Sequence, residues 1–296
     1  MALLSVLKFI TDHPLNRDQK LRSVVRFAKW QVGSRLVPGA VAYDWINGSR
    51  FLVSAGETGL TGNIYTGLHE FADMGFLLHV LRSEDLFVDV GANVGSYTIL
   101  ACSAVGARGI AFEPVPGTYR RLVENVRLNH LDERVVPVNK GVGARQGSIA
   151  FTSDGDTTNH ALAAGENCAN SVSVELTTLD EYLQGESPSL AKIDVEGYET
   201  PVLEGATATL AKPSLRAMIM ELNGSGTRYG YDESHILELM FDHGFRTYSY
   251  NPLNRTLIDL EGKNLDSGNT LFIRDKAWVE NRIGTAPRLS VNGRQL

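Results

Sequence analysis

The sequence predicts an α/β fold, a mostly parallel sheet with helices on both faces. Three observations carry this expectation. From Leu86 onward, apolar runs of strand length alternate with helix-length segments, the pattern of β-α-β units. One run, Leu86-Phe87-Val88-Asp89-Val90, passes directly into Gly91-Ala92-Asn93-Val94-Gly95 and the helix-like Ser96–Ala101. This reads as a buried strand turning sharply into a helix, with glycines where backbone approaches a ligand. A second run, Gly109–Phe112, ends in Glu113, 22 residues after Gly91. An acid at that strand tip suits both hydroxyls of a ribose.

Taken in chain order, Leu21, Val24, Val25, Ala28, Val32 and Leu36 recur at helical spacing, predicting a basic amphipathic helix over roughly residues 16–36. Such a helix suits a membrane surface or a partner, or packs on its own domain with a solvated basic face. Ala40–Ile46 and Arg50–Ser54 flank Asn47-Gly48, a dipeptide that favours a tight hairpin turn. A helix over Leu68–Leu81 follows. Strands are expected at 86–90, 109–113, 135–139, 190–195 and 215–222, with helices near 96–105, 116–129, 200–211 and 232–243. Asp232 caps the last of these and Gly244 stops it. Short β runs at 148–153 and 172–177, and a capping box at Thr178-Leu179-Asp180-Glu181, interrupt the alternation. Phe245–Tyr250 and Thr270–Arg274, joined by a turn-rich link, predict an antiparallel pair that closes the sheet. The implied division is an extension at 1–61, a main domain at 62–276 and a frayed tail at 277–296.

Charge narrows the class. Residues 1–36 hold seven basic and two acidic side chains, a net of +5, whereas the chain is −6, leaving −11 on the remainder. An acidic body argues against general nucleic-acid binding. Cys102 and Cys168 offer neither a disulfide framework nor metal spacing, pointing to a reducing, cytoplasmic setting. No apolar run reaches the roughly 18 residues of a membrane span. The opening Met1–Leu7 lacks the basic region of a signal peptide.

The glycine turn is short of a dinucleotide fingerprint, because Asn93 stands where the second glycine is needed. Asp89 beside that turn would repel a pyrophosphate and favour an ammonium group. S-adenosylmethionine fits, with its ribose at Glu113, its amino-acid end near Asp89 and no phosphate. The expected cofactor set is Asp89, Gly91, Asn93, Gly95, Glu113 and Pro114. The candidate catalytic set is Lys192, Asp194 and Glu196 in Lys192-Ile193-Asp194-Val195-Glu196-Gly197-Tyr198-Glu199, where alternation puts three charges on one face of a core strand. Alternatively, these are a structural ion pair and a helix cap. Glu199 is expected to favour the helix dipole. Glu221 ends the next strand as a substrate or metal contact, or as a solvated strand end. Tyr229 and Tyr231, in the glycine-bearing loop 224–231, suit a polyhydroxyl acceptor and a lid. His160, in the loop Asp154–Asn167, has the intrinsic pKa of a general base.

Val88–Gly95, Ala111-Phe112-Glu113-Pro114, Thr178-Leu179-Asp180 and Lys192–Glu199 followed by Val202-Leu203-Glu204-Gly205-Ala206 resemble the FkbM-type S-adenosylmethionine-dependent methyltransferases, over about residues 62–275. The resemblance implies a Rossmann-like, seven-stranded methyltransferase sheet and O-methylation of a hydroxyl, often on a sugar, glycan or polyketide. Some related sugar methyltransferases use magnesium, for which Asp194 and Glu221 offer hard oxygen ligands. Two competing readings are a nicotinamide-dependent sugar oxidoreductase or epimerase, and a non-catalytic membrane-peripheral adaptor with a degenerate nucleoside fold.

Overall fold

The computed structural model describes residues 3–296 except 154, 156, 157, 164, 167 and 169. It opens with two helices, α1 (Leu3–Asp12) and α2 (Lys20–Leu36), then strands β1 (Val41–Asp44) and β2 (Arg50–Val53) and helices α3 (Thr58–Thr66) and α4 (Phe71–Val80). The alternating region starts with β3 (Leu86–Val90), α5 (Ser96–Ile99, continued by a π-helical turn to Val105), β4 (Arg108–Phe112), α6 (Pro116–Leu128) and β5 (Val135–Val138). An excursion follows, with β6 (Gly141–Val142), β7 (Gly147–Thr152), β8 (Ser171–Thr177) and α7 (Leu179–Tyr182). The chain returns through β9 (Leu190–Ile193), α8 (Glu199–Glu204), α9 (Thr207–Leu210), β10 (Ala217–Glu221) and α10 (Glu233–Asp242). It ends with β11 (Arg246–Asn251), β12 (Thr256–Asp259), β13 (Asn269–Ile273), α11 (Lys276–Gly284), β14 (Ser290–Val291) and β15 (Arg294–Gln295).

The main sheet runs β12-β11-β13-β10-β9-β3-β4-β5. Strands β10, β9, β3, β4 and β5 are mutually parallel, and β13, β11 and β12 pair antiparallel. The expected closing pair is β11–β13. The sheet has eight strands rather than seven, because the link read as turns contains β12. Every residue of β3 and β9 is buried. Phe87 faces one apolar layer while Val88 and Val90 face the other, so helices cover both sides. Strand order reverses between β3 and β9. β4 and β5 extend one way and β10 the other, opening a crevice at the carboxyl ends of β3 and β9.

Several local expectations change. Asn47 and Gly48 take the positive φ values that a tight turn needs. Yet Asp44 pairs with Arg50, so the hairpin loop holds five residues rather than two. The helix expected over 200–211 divides into α8 and α9 at Gly205, where a Cβ would lie 2.1 Å from the Gly143 carbonyl oxygen. The tail is not frayed: α11 buries Val279 and Ile283, and the β14–β15 hairpin buries Val291. Arg294 donates to the Pro14 carbonyl and pairs with Asp18, tying the C-terminal hairpin to the N-terminal segment. Ile10, Leu15, Trp30 and Leu296 all join the core layer that holds Phe87. The inner face of α2 also differs from expectation. Ser23, Trp30 and Ser34 are buried, whereas Leu21, Val25, Val32 and Leu36 point outward.

Candidate active site

The crevice is a cleft of about 290 Å³ lined from both sides of the β3–β9 reversal. Gly91 brings those sides together. Its amide donates to the Phe112 carbonyl at 3.0 Å, and the Asp194 amide donates to the Val90 carbonyl at 3.0 Å. A Cβ at Gly91 would lie 1.8 Å from the Asp194 carbonyl oxygen, at a φ of +83°. No side chain larger than hydrogen fits there.

Glu113 is buried at the tip of β4, where its two carboxylate oxygens accept the backbone amides of Asn93 (3.0 Å) and Val115 (2.9 Å). It therefore locks the glycine turn to the next strand, and each oxygen retains further acceptor capacity in a residue that lines the cleft. Burial pushes its carboxyl up to about 7. Asp89 is buried and accepts from the Thr98 hydroxyl at 2.6 Å. Its pKa rises to about 6 through burial, which Lys192 opposes. Asn93, at φ +51°, accepts the Val94 amide at 2.7 Å. Gly91, Asn93, Glu113 and Pro114 all line the cleft, as does Asp89; Gly95 instead caps α5 behind it.

Strand β9 ends at Ile193, so the simple alternation expected through Glu196 does not hold. Glu196 is in the left-handed region at φ +55°, and the turn, not the strand, aims it at the cleft. Glu199 holds that turn: its buried carboxylate accepts the amides of Val195 and Gly197, both at 3.2 Å. Burial raises it to about 7. Lys192 is buried, donates to Asp194 Oδ2 and lies 4.6 Å from the centre of the Tyr97 ring. Burial works against its charge, but the carboxylates of Asp194, Glu70 and Asp89 outweigh burial and raise its pKa. Glu221, at the end of β10, has a buried Oε2 without a hydrogen bond. Burial, then Asp194 and Glu196, push it up to about 9. The carboxylate oxygens of Asp194, Glu196 and Glu221 lie within 4.8 Å of one another.

Three expected substrate residues are placed differently. The Tyr229 hydroxyl donates to the Ala161 carbonyl at 2.6 Å, and its ring packs edge-on against Tyr198 at 5.3 Å. Tyr198 lines the cleft; Tyr229 and Tyr231 do not. The 161 loop thus consumes the hydroxyl that was expected to meet an acceptor. His160 also stands outside the lining. Its ring nitrogens are engaged by the Thr158 carbonyl at 3.0 Å and Glu166 at 2.9 Å, and Asn159 lines the cleft instead. Asp154 and Asn167, which bound that loop, lie outside the described residues.

Sequence reasoning missed one wall altogether. Asn63, His69, Glu70 and Met74, from α3, α4 and the link between them, line the cleft with Tyr97. Asn269, at the start of β13, donates to Glu70 Oε1 at 2.8 Å and Asp73 Oδ2 at 3.2 Å. Asp73 is buried, and desolvation beside Glu70 raises it to about 7. A signal was present: Asp73 is the one acid of a ten-residue helix that is apolar but for it and His79, and such an acid is costly to bury without purpose.

The family model described as "Methyltransferase FkbM domain" matches residues 89–247. The hexuronic acid methyltransferase AglP of Haloferax volcanii is 30% identical over 167 residues, which are 55% of this chain and 64% of that protein. The chain thus spans less than two thirds of that relative's length. Among solved structures, a putative transferase from Pyrococcus horikoshii is 15% identical with a TM-score of 0.42, covering 80% of this chain and 71% of that one. An rRNA methylase from Streptococcus thermophilus is 16% identical with a TM-score of 0.40, covering 68% of this chain and 91% of that one. The family match supports neither the nicotinamide oxidoreductase nor the non-catalytic adaptor.

Proposed function

Because the chain belongs to the FkbM methyltransferase family, we propose that it methylates a sugar hydroxyl with S-adenosylmethionine. The observation that supports this most is the charge of the cleft. Glu70, Asp89, Glu113, Asp194, Glu196 and Glu221 all line it, with Lys192 paired to Asp194. Such a wall favours a cationic donor and disfavours the pyrophosphate of a nicotinamide cofactor. Glu113 would hold the ribose, and Glu70 with Asp89 would set the field around the amino-acid end. The bound donor supplies an electrophilic methyl group on a sulfonium.

An alcohol attacks well only if its proton leaves as the new bond forms. Asp194 Oδ2 is held by Lys192, so Oδ1 is the atom proposed to take that proton. The turn held by Glu199 keeps Glu196 beside it to orient the acceptor. The protein's task is otherwise positioning, since methyl transfer is an in-line displacement. A hexuronic-acid-bearing saccharide is the acceptor class we favour, from the relative's name. A second reading places magnesium among Asp194, Glu196 and Glu221, on the proximity of their oxygens. In that case chelation abolishes turnover and added magnesium restores it.

Calorimetry tests the cofactor assignment. S-adenosylmethionine is expected to bind and NAD to give no heat. Of the carboxyls that line the cleft, Glu113 titrates near 7 and Asp89 near 6, so both ionise as pH rises from 5.5 to 7.5. Affinity for the cationic donor should therefore rise over that window, with protons released on binding. Glu113→Ala should weaken binding by about 1–3 kcal/mol, because ribose hydroxyls lose a charged acceptor. Binding of NAD, or an unchanged affinity in Glu113→Ala, would contradict the assignment.

A further inference from the structure

Helix α2 has two apolar faces, and the fold uses one of them. At about 100° per residue, Ser23, Phe27, Trp30 and Ser34 form one stripe. Trp30 lies in the core, and Phe27 packs edge-on against Tyr65 of α3 at 5.0 Å. Leu21, Val25, Ala28, Val32 and Leu36 fall within an arc of about 80° on the opposite side. Leu21 is 79% exposed, Val32 61% and Leu36 77%. Leu3 and Leu4 of the adjoining α1 are 62% and 79% exposed. A groove of about 690 Å³ along one flank carries this apolar surface on to Val37 and Tyr43.

The charged residues of α2 are arranged around that stripe. Arg35 borders it on one side, Arg22 and Lys29 on the other, Lys20 starts the helix, and all four are exposed. No carboxylate occurs between Lys20 and Leu36. Arg26 is the exception in direction, turned inward to Asn16 and the Tyr65 carbonyl. An outward apolar stripe with cations along both edges matches a surface that is anionic outside and apolar beneath.

We propose that the outer face of α2, with the exposed start of α1, docks the protein on an anionic lipid bilayer. Leu21, Val25, Val32 and Leu36 enter the boundary of the acyl chains, while Lys20, Arg22, Lys29 and Arg35 reach the lipid phosphates. Charge selects this occupant. A two-fold contact with a second copy would set the same cations against each other. The rest of the molecule carries −11 against +5 over residues 1–36. An anionic sheet therefore repels the body and draws in this end, which fixes the orientation as well as the attraction.

Co-sedimentation of the full chain with vesicles tests this. Strong partition is expected onto phosphatidylcholine mixed with phosphatidylglycerol, weak partition onto phosphatidylcholine alone, and a steep fall with added salt. A triple variant Leu21→Ser, Val32→Ser, Leu36→Ser and a second, Lys20→Glu, Arg22→Glu, Lys29→Glu, should each lose about tenfold or more of that partition. Both should keep the parent's melting temperature and cofactor binding, since these side chains are exposed. Three results would overturn the proposal: equal partition onto neutral vesicles, unchanged partition in both variants, or no vesicle binding. Self-association that the serine variant abolishes, without vesicle binding, would assign the face to a second copy instead.

Discussion

Asp194→Asn is expected to lower turnover by about 10²–10⁴ while donor affinity stays within a few-fold. The substitution keeps the shape of the side chain and its contact with Lys192 but removes the site for the hydroxyl proton. Asp194 sits where β9 has just ended, with its amide still bonded to the Val90 carbonyl of β3 at 3.0 Å. Its backbone is therefore fixed by the sheet, and a loss confined to turnover reports on the carboxylate alone. Single-turnover rates and thermal melts on the same protein separate the two effects. Full activity at unchanged stability would remove Asp194 from the reaction. Activity that depends on added magnesium would transfer its role to a metal ligand.

Lys192→Met is expected to cost about 3–5 kcal/mol of folding stability. Lys192 is 3% exposed and surrounded by Asp194, Glu70 and Asp89. Methionine fills similar volume, so packing is largely kept, and the loss measures stranded carboxylates. The pH dependence has a definite sign. Without the ammonium group, Asp89, Asp73 and Glu221, which burial raises and Lys192 opposes, rise further in the folded state, which then binds more protons than the unfolded chain. Stability is retained below the unfolded carboxyl pKa and falls as pH rises through the raised folded values. The deficit relative to the parent should thus be larger at pH 8 than at pH 6 in denaturant melts. A deficit independent of pH would mean that Lys192 matters through packing against Tyr97 rather than through charge.

What the sequence displayed well was local. β3 is five apolar or buried residues followed at once by the glycine turn, and Glu113 follows directly on the end of β4. Lys192 could be found because a charge inside a core strand needs a reason, and Asp194 because it follows that strand's carboxyl end. The closing pair β11 and β13 was also visible, from β-rich runs without a helix between them.

What it concealed was the meeting of distant segments. Asn269 bonds to Glu70 across 199 positions, and nothing in either neighbourhood announces the other. The cleft wall from α3 and α4 was invisible for the same reason. For α2, periodicity identified a helix and an apolar stripe but not which side faced inward. Trp30 and two serines won the core. Tyr229 and His160 had suitable chemistry, but the excursion around β7 and β8 already uses their polar atoms. Residue type identified candidates; only packing decided which of them meet.

The most direct test of the account is transfer from methyl-labelled S-adenosylmethionine to saccharides that carry a hexuronic acid. A sugar of that kind offers both hydroxyl and carboxylate oxygens, and only the hydroxyl carries a proton that a base at Asp194 must remove. The account predicts label in the sugar as a methyl ether, stable to mild alkali. Label released by mild alkali would mark a methyl ester, made without need of a base at Asp194. Such a release, or donor binding with no label in any saccharide, would contradict the account.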